Sequence, residues 1–133
     1  MKTRSAKAKG RATQNATRDA LLRFFPELAA DDVQTRTMGV RGEDLILSPA
    51  ARRLLPLSIE CKNTRGAPGR AAITQARSNA SGHVPVVVWH PPRTVNEYLL
   101  VTLTLQDLLS LMRGRIMGDH RARAASARDR DRR

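Results

Sequence analysis

The sequence predicts an α/β domain, a small mixed β-sheet flanked by helices, and three observations carry that expectation. Short β-branched or apolar runs alternate with polar turns, helical periodicity opens and closes the ordered stretch, and a further helical segment interrupts the strands. Arg11 to Phe25 reads as the first helix, because Ala16, Ala20, Leu21, Phe24 and Phe25 recur at helical spacing and Pro26 stops it. Val33 to Thr37 is β-branched and alternating, a short strand followed by a turn at Gly39 and Gly42. Leu45-Ile46-Leu47 is a buried strand. Ser48-Pro49 is an N-cap with Pro at the first helical position, giving a turn of helix through Leu54. Leu57 to Cys61 is the next strand, and Asn63 to Pro68 a polar loop. Ala71 to Asn79 is a helix ending near Gly82. Val84 to Trp89 is the most strand-like run, closed by Pro91-Pro92. Tyr98 to Leu103 is a further strand, and Thr104 caps a last helix that Gly114 ends.

Composition bounds the partners. The chain has 133 residues and a formal net charge of +12. Residues 1–10 read as a basic N-terminal tail and 11–114 as the folded domain. Residues 115–133 read as an Arg-rich tract too poor in large apolar residues to offset its own ordering entropy. Between Glu60 and Glu97 no acidic residue interrupts Lys62, Arg65, Arg70, Arg77 and Arg93, a field suited to a polyanion. Aromatic residues are too few for a base-stacking platform. Cys61 is the only cysteine, which excludes an internal disulfide framework and a cysteine zinc cluster. No apolar segment follows the basic N-terminus, so the expected location is the cytoplasm.

Chemistry concentrates around Lys62, the one lysine after residue 9 in a chain that otherwise uses arginine there. Lysine presents a compact ammonium that approaches a single oxygen closely, whereas arginine presents a planar fork. In a strand Glu60 and Lys62 share a face while Cys61 points the other way. Asp44, entering the neighbouring strand, supplies a second carboxylate. Two carboxylates and a backbone carbonyl suit Mg²⁺ or Mn²⁺. The bland reading of Glu60 and Lys62 is an ion pair on a solvated face. His83, His90 and His120 lack metal-ligand spacing. Gly66 to Gly69 lacks the Lys-Ser/Thr ending of a phosphate-binding loop.

At these positions the sequence resembles the PD-(D/E)xK nuclease superfamily, and within it the small phage and archaeal Holliday-junction-resolvase-like endonucleases. Lys9-Gly10-Arg11 with Gln14 looks like the first helix of that family. Gly42-Glu43-Asp44 and the apolar run after it look like its second motif, Ile59-Glu60-Cys61-Lys62-Asn63 like its third, and Gln75-Ala76 like the signature on the following helix. The resemblance implies a restriction-endonuclease-like αβββαβ core. It makes Asp44, Glu60 and the Cys61 carbonyl the ligands of Mg²⁺ and Lys62 the catalytic lysine, and it implies DNA cleavage by a homodimer. Gln14 stands where the family often has Glu and brings no charge. Gln75 lies one helical turn from Asn79, so it faces either the site or solvent. Lys7, Lys9, Arg11, Arg41, Arg65 and Arg70 are the candidate phosphate contacts. No module for base readout is present, so branched DNA held through its backbone is the expected substrate. Two alternatives fit the same residues: a nicking or recombination nuclease of this fold acting with a partner, and a non-catalytic basic protein that binds nucleic acid.

Overall fold

Helix α1 spans Lys2–Phe24 and begins well before Arg11. Residues 2–10 offer no apolar side chain larger than Ala to reveal a period, yet Ala, Lys and Arg are strong helix formers. The segment expected to be a basic tail therefore continues the helix. The computed structural model describes residues 2–37, 39–114, 128 and 130, with side chains from residue 6 onward. The Arg-rich tract expected over 115–133, with His120, lies outside the described residues except at 128 and 130. The chain divides into two units, Met1–Leu103 and Thr104–Arg133. In the second, residues 105–114 are helical and Thr104 Oγ1 caps them by accepting from Asp107 N at 3.1 Å.

One face of α1 is buried, and its character changes along the helix. Thr13, Gln14 and Thr17 come first, then Leu21 and Leu22 reach the apolar core. The buried hydroxyls are satisfied within the helix, Thr17 Oγ1 donating to Thr13 O at 2.8 Å and Thr13 Oγ1 to Lys9 O at 3.2 Å. Pro26 ends the ladder just after Phe25 N donates to Leu21 O. Arg18 clamps the helix to the segment after Pro26, its guanidinium donating to Val33 O at 2.7 Å and Ala30 O at 3.0 Å. A 3-10 turn over Ala30–Asp32, which the sequence pattern does not reveal, leads into β1 (Val33–Thr35). Asp32 accepts from Ala29 N at 2.7 Å and from Ser48 Oγ at 2.6 Å, tying that turn to the cap of α2 (Pro49–Leu54).

β1 pairs antiparallel with β2 (Leu45–Leu47) as a separate two-stranded sheet. The second sheet has the order β3-β4-β5, with β3 (Leu57–Lys62) parallel to β4 (Val84–Trp89) and β5 (Leu100–Thr102) antiparallel to β4. The expected single mixed sheet is thus two sheets that abut where Asp44 N donates to Ile59 O at 2.9 Å. The architecture is mixed α/β. Pro85 is tolerated inside β4 because its missing N–H lies on the β5 side, and β5 pairs only from Val87 onward.

Alternation sorts the side chains of β3 and β4 between two helices. Ile59, Cys61, Val86 and Val88 face the core with Val33, Leu45, Leu47 and Leu55, on the side of α1. Glu60, Lys62 and fully buried Val87 face α3 (Arg70–Asn79), whose Ala76 is also fully buried. Burying each Leu, Ile or Val of this core contributes about 1.5–3 kcal/mol. Among the described residues no helix is long and apolar enough to cross a membrane.

Candidate functional site

The site forms where β2 meets β3, on the face of β3 that turns to α3. Asp44 enters β2 from a loop that its glycines shape. Gly42 has a φ of 121°, and a Cβ there would come within 2.8 Å of the Arg36 guanidinium. The backbone can turn there only because the residue is glycine. Arg36 Nε donates to Glu43 O at 2.7 Å, and Arg36 N to Asp44 O at 2.8 Å. These contacts fix the approach to Asp44. Glu43 is buried and pairs with Arg52 of α2, so the acid beside Asp44 braces the loop.

Asp44 Oδ2 accepts from Cys61 N at 2.7 Å. A strand residue directs its N–H and C=O to the same edge, so the Cys61 carbonyl also lies on the Asp44 side of β3. Lys62 O points to the other edge, where it accepts from His90 N. Cys61 Sγ faces α1, 3.7 Å from Thr17 Oγ1, and burial pushes its thiol up to about 12. That thiol is no nucleophile at neutral pH.

Glu60 and Lys62 are held by one helix face. Asn79 Nδ2 donates to Glu60 Oε1 at 2.8 Å, and Lys62 Nζ donates to Gln75 Oε1 at 2.9 Å. The match is geometric. Four residues of helix rise about 6 Å and two residues of strand about 6.6 Å, so the Gln75–Asn79 spacing fits the Lys62–Glu60 spacing. Gln75 therefore faces the site. Asn79 is a further member that the residue pattern alone does not single out, although its spacing from Gln75 is a usable signal.

Glu60 is only 3 % exposed, and its carboxyl is pushed up to about 6. Burial is the main cause. The Asn79 amide opposes it, the adjacent Asp44 carboxylate adds to it, and the Lys62 ammonium opposes it. Two acids within hydrogen-bonding reach repel when both ionise, and a hard cation beside them would remove that penalty. Asp44, Glu60 and the Cys61 carbonyl are the groups that could hold one Mg²⁺ or Mn²⁺, and the oxygen-only donor set fits such an ion. Among the described residues no group of three or more His, Cys, Asp or Glu side chains could hold a metal, so this pair of acids would need help from backbone and water.

The other expected residues lie on α1, in the loops and at the start of α3. Gln14 is buried on α1 between Thr13 and Thr17, with no hydrogen bond to Asp44, Glu60 or Lys62 among the described residues. Lys7, Lys9 and Arg11 are exposed on α1, Arg41 in the β1–β2 loop, Arg65 in the β3–α3 loop and Arg70 at the start of α3. Of these, Lys9 and Arg65 line one cleft, together with Arg93. In comparisons with known proteins, no family model, no curated sequence and no solved structure matches this chain.

Proposed function

We propose that this chain is a Mg²⁺-dependent DNA endonuclease with a restriction-endonuclease-like core. The observation that carries the reading is the pairing of the Asp44 and Glu60 carboxylates beside Lys62, each side chain fixed by a named donor or acceptor. A solvated ion pair does not account for it, because Glu60 is buried and bonds to Asn79. When bound, the metal polarises a phosphoryl oxygen and lowers the pKa of a water. Asp44 and Glu60 supply the negative donors. Lys62, oriented by Gln75, places an ammonium where charge develops on the phosphate and orients the attacking water. The net charge of +12 supports a polyanionic substrate, and four-way junction DNA is the substrate we favour. A homodimer is supported by the 105–114 helix, where Leu105, Leu108, Leu109 and Met112 are exposed at helical spacing.

The test is incubation of the purified chain with a synthetic junction, a matched duplex and a single strand, with and without Mg²⁺. The expected result is metal-dependent cleavage with preference for the junction. Lys62→Ala should lower the rate by roughly 10²–10³, the loss typical of one transition-state donor. Lys62→Arg should also fail, because the guanidinium is too broad for a site that fits an ammonium. DNA binding without cleavage in either Mg²⁺ or Mn²⁺ would instead favour a non-catalytic nucleic-acid-binding protein.

A further inference from the structure

On the α1 side of β3, away from Glu60 and Lys62, a cleft of about 500 Å³ opens at the carboxyl ends of the parallel strands β3 and β4. Crevices at that end of parallel strands are where α/β proteins commonly take ligands. Its lining includes Lys9, Asn63, Arg65, His90, Arg93 and Asn96 and, among the described residues, no acidic side chain. The three cations come from separate segments: α1, the β3–α3 loop and the β4–β5 loop. Among the described residues none of the three makes an ion pair. Holding three like charges around one cavity costs free energy that a bound anion would recover.

The walls are fixed. Asn63 Nδ2 donates to Lys9 O at 3.2 Å and Thr13 Oγ1 at 3.3 Å, joining the end of β3 to α1. Trp89 Nε1 donates to Thr64 O at 2.8 Å and joins the ends of β3 and β4. Arg93 has a φ of 63°, a left-handed conformation that a non-glycine residue rarely adopts. Its loop is braced around it: Thr94 Oγ1 donates to Pro91 O at 2.8 Å, and His90 Nε2 lies 3.2 Å from Thr94 O and 3.0 Å from Val95 O. A strained backbone at an arginine that lines a basic cleft points to a ligand for that arginine.

We propose that this cleft is a second phosphate site, taking a backbone phosphodiester of nucleic acid apart from the bond at Lys62. The proposal rests on the nucleic-acid part of the functional reading and not on cleavage. The test measures binding of a labelled duplex in EDTA, where no metal-dependent cutting occurs, across a salt series. Arg93→Gly keeps the left-handed backbone while removing the cation. It and Arg65→Gln are each expected to weaken binding about 3- to 10-fold and to lower the log–log salt slope by about one unit. Arg93→Lys should retain most of the affinity, and Arg53→Gln, at an exposed position of α2, should change neither quantity. Inorganic phosphate and a short oligonucleotide serve as competitors. Displacement by the oligonucleotide at concentrations where phosphate does nothing assigns the site to a nucleic-acid strand. Displacement by phosphate alone overturns that assignment. Unchanged affinity and slope in both Arg93→Gly and Arg65→Gln overturn the site, even if the parent cuts DNA. Normal cleft behaviour in a chain that never cuts would sink the nuclease reading and leave the cleft standing.

Discussion

Glu60 is a carboxyl placed where ionisation is penalised, and its titration makes that penalty measurable. Its pKa in the fold is about 6 against an ordinary 4.5, so folding favours the protonated form. The corresponding stability is fully present below pH 4.5 and is lost as pH rises through 6. The shift corresponds to about 2 kcal/mol. Glu60→Gln keeps an acceptor for Asn79 and cannot ionise. In EDTA at pH 7.5 the variant should melt several degrees above the parent, because about 1 kcal/mol moves a domain of this size by ~4–8 °C. At pH 4 the advantage should vanish. Added Mg²⁺ should raise the melting temperature of the parent and not of the variant. A variant less stable than the parent at pH 7.5 would mean that the Glu60 charge supports the fold and that the acid pair is not strained.

At the scale of elements, β3 and α3 act as a matched pair, strand residues two apart against helix residues four apart. Asn79→Ala removes the donor that opposes the burial of Glu60. The Glu60 pKa should therefore rise further, and the pH profile of the proposed metal-dependent activity should move to higher pH. More Mg²⁺ should also be needed at pH 7. An identical pH profile and metal titration would show that Asn79 merely packs. The strands and α3 were legible because period-2 runs and Gly or Pro boundaries mark them, and Ser48-Pro49 marks α2 by its capping chemistry. The start of α1 was not, since a polar helix exposed on most sides has no apolar period to read. The division into two sheets was also hidden, because pairing between β2 and β3 depends on long-range geometry and not on either run of residues. Asp44, Glu60 and Lys62 were legible as residue types at a spacing. The Glu43–Arg52 brace and the role of Asn79 were not, because each depends on which face a tertiary contact selects.

At the scale of the whole molecule, charge would set how the chain meets the proposed polyanion. The basic groups are spread over α1, the loops around the Lys9–Arg65–Arg93 cleft, and residues 115–133, which contain seven arginines against three aspartates. None of Asp44, Glu60 and Lys62 lies in that last segment. Each phosphate neutralised adds about one unit to the slope of log affinity against log salt. Ending the chain at Gly114 should therefore flatten the slope by several units and weaken binding most at low salt. The side chains of the acid pair and Lys62 are held by contacts within residues 36–79, so the proposed Mg²⁺-dependent cleavage at saturating DNA should persist. Binding and cleavage assays on the shortened chain across 50–300 mM salt (a range of about sixfold, in which counterion release dominates) separate the two quantities. An unchanged slope would mean that these arginines do not meet phosphate. Loss of cleavage at saturation, with the fold intact by circular dichroism, would mean that the segment contributes to the chemistry, contrary to a site built wholly from β2, β3 and α3.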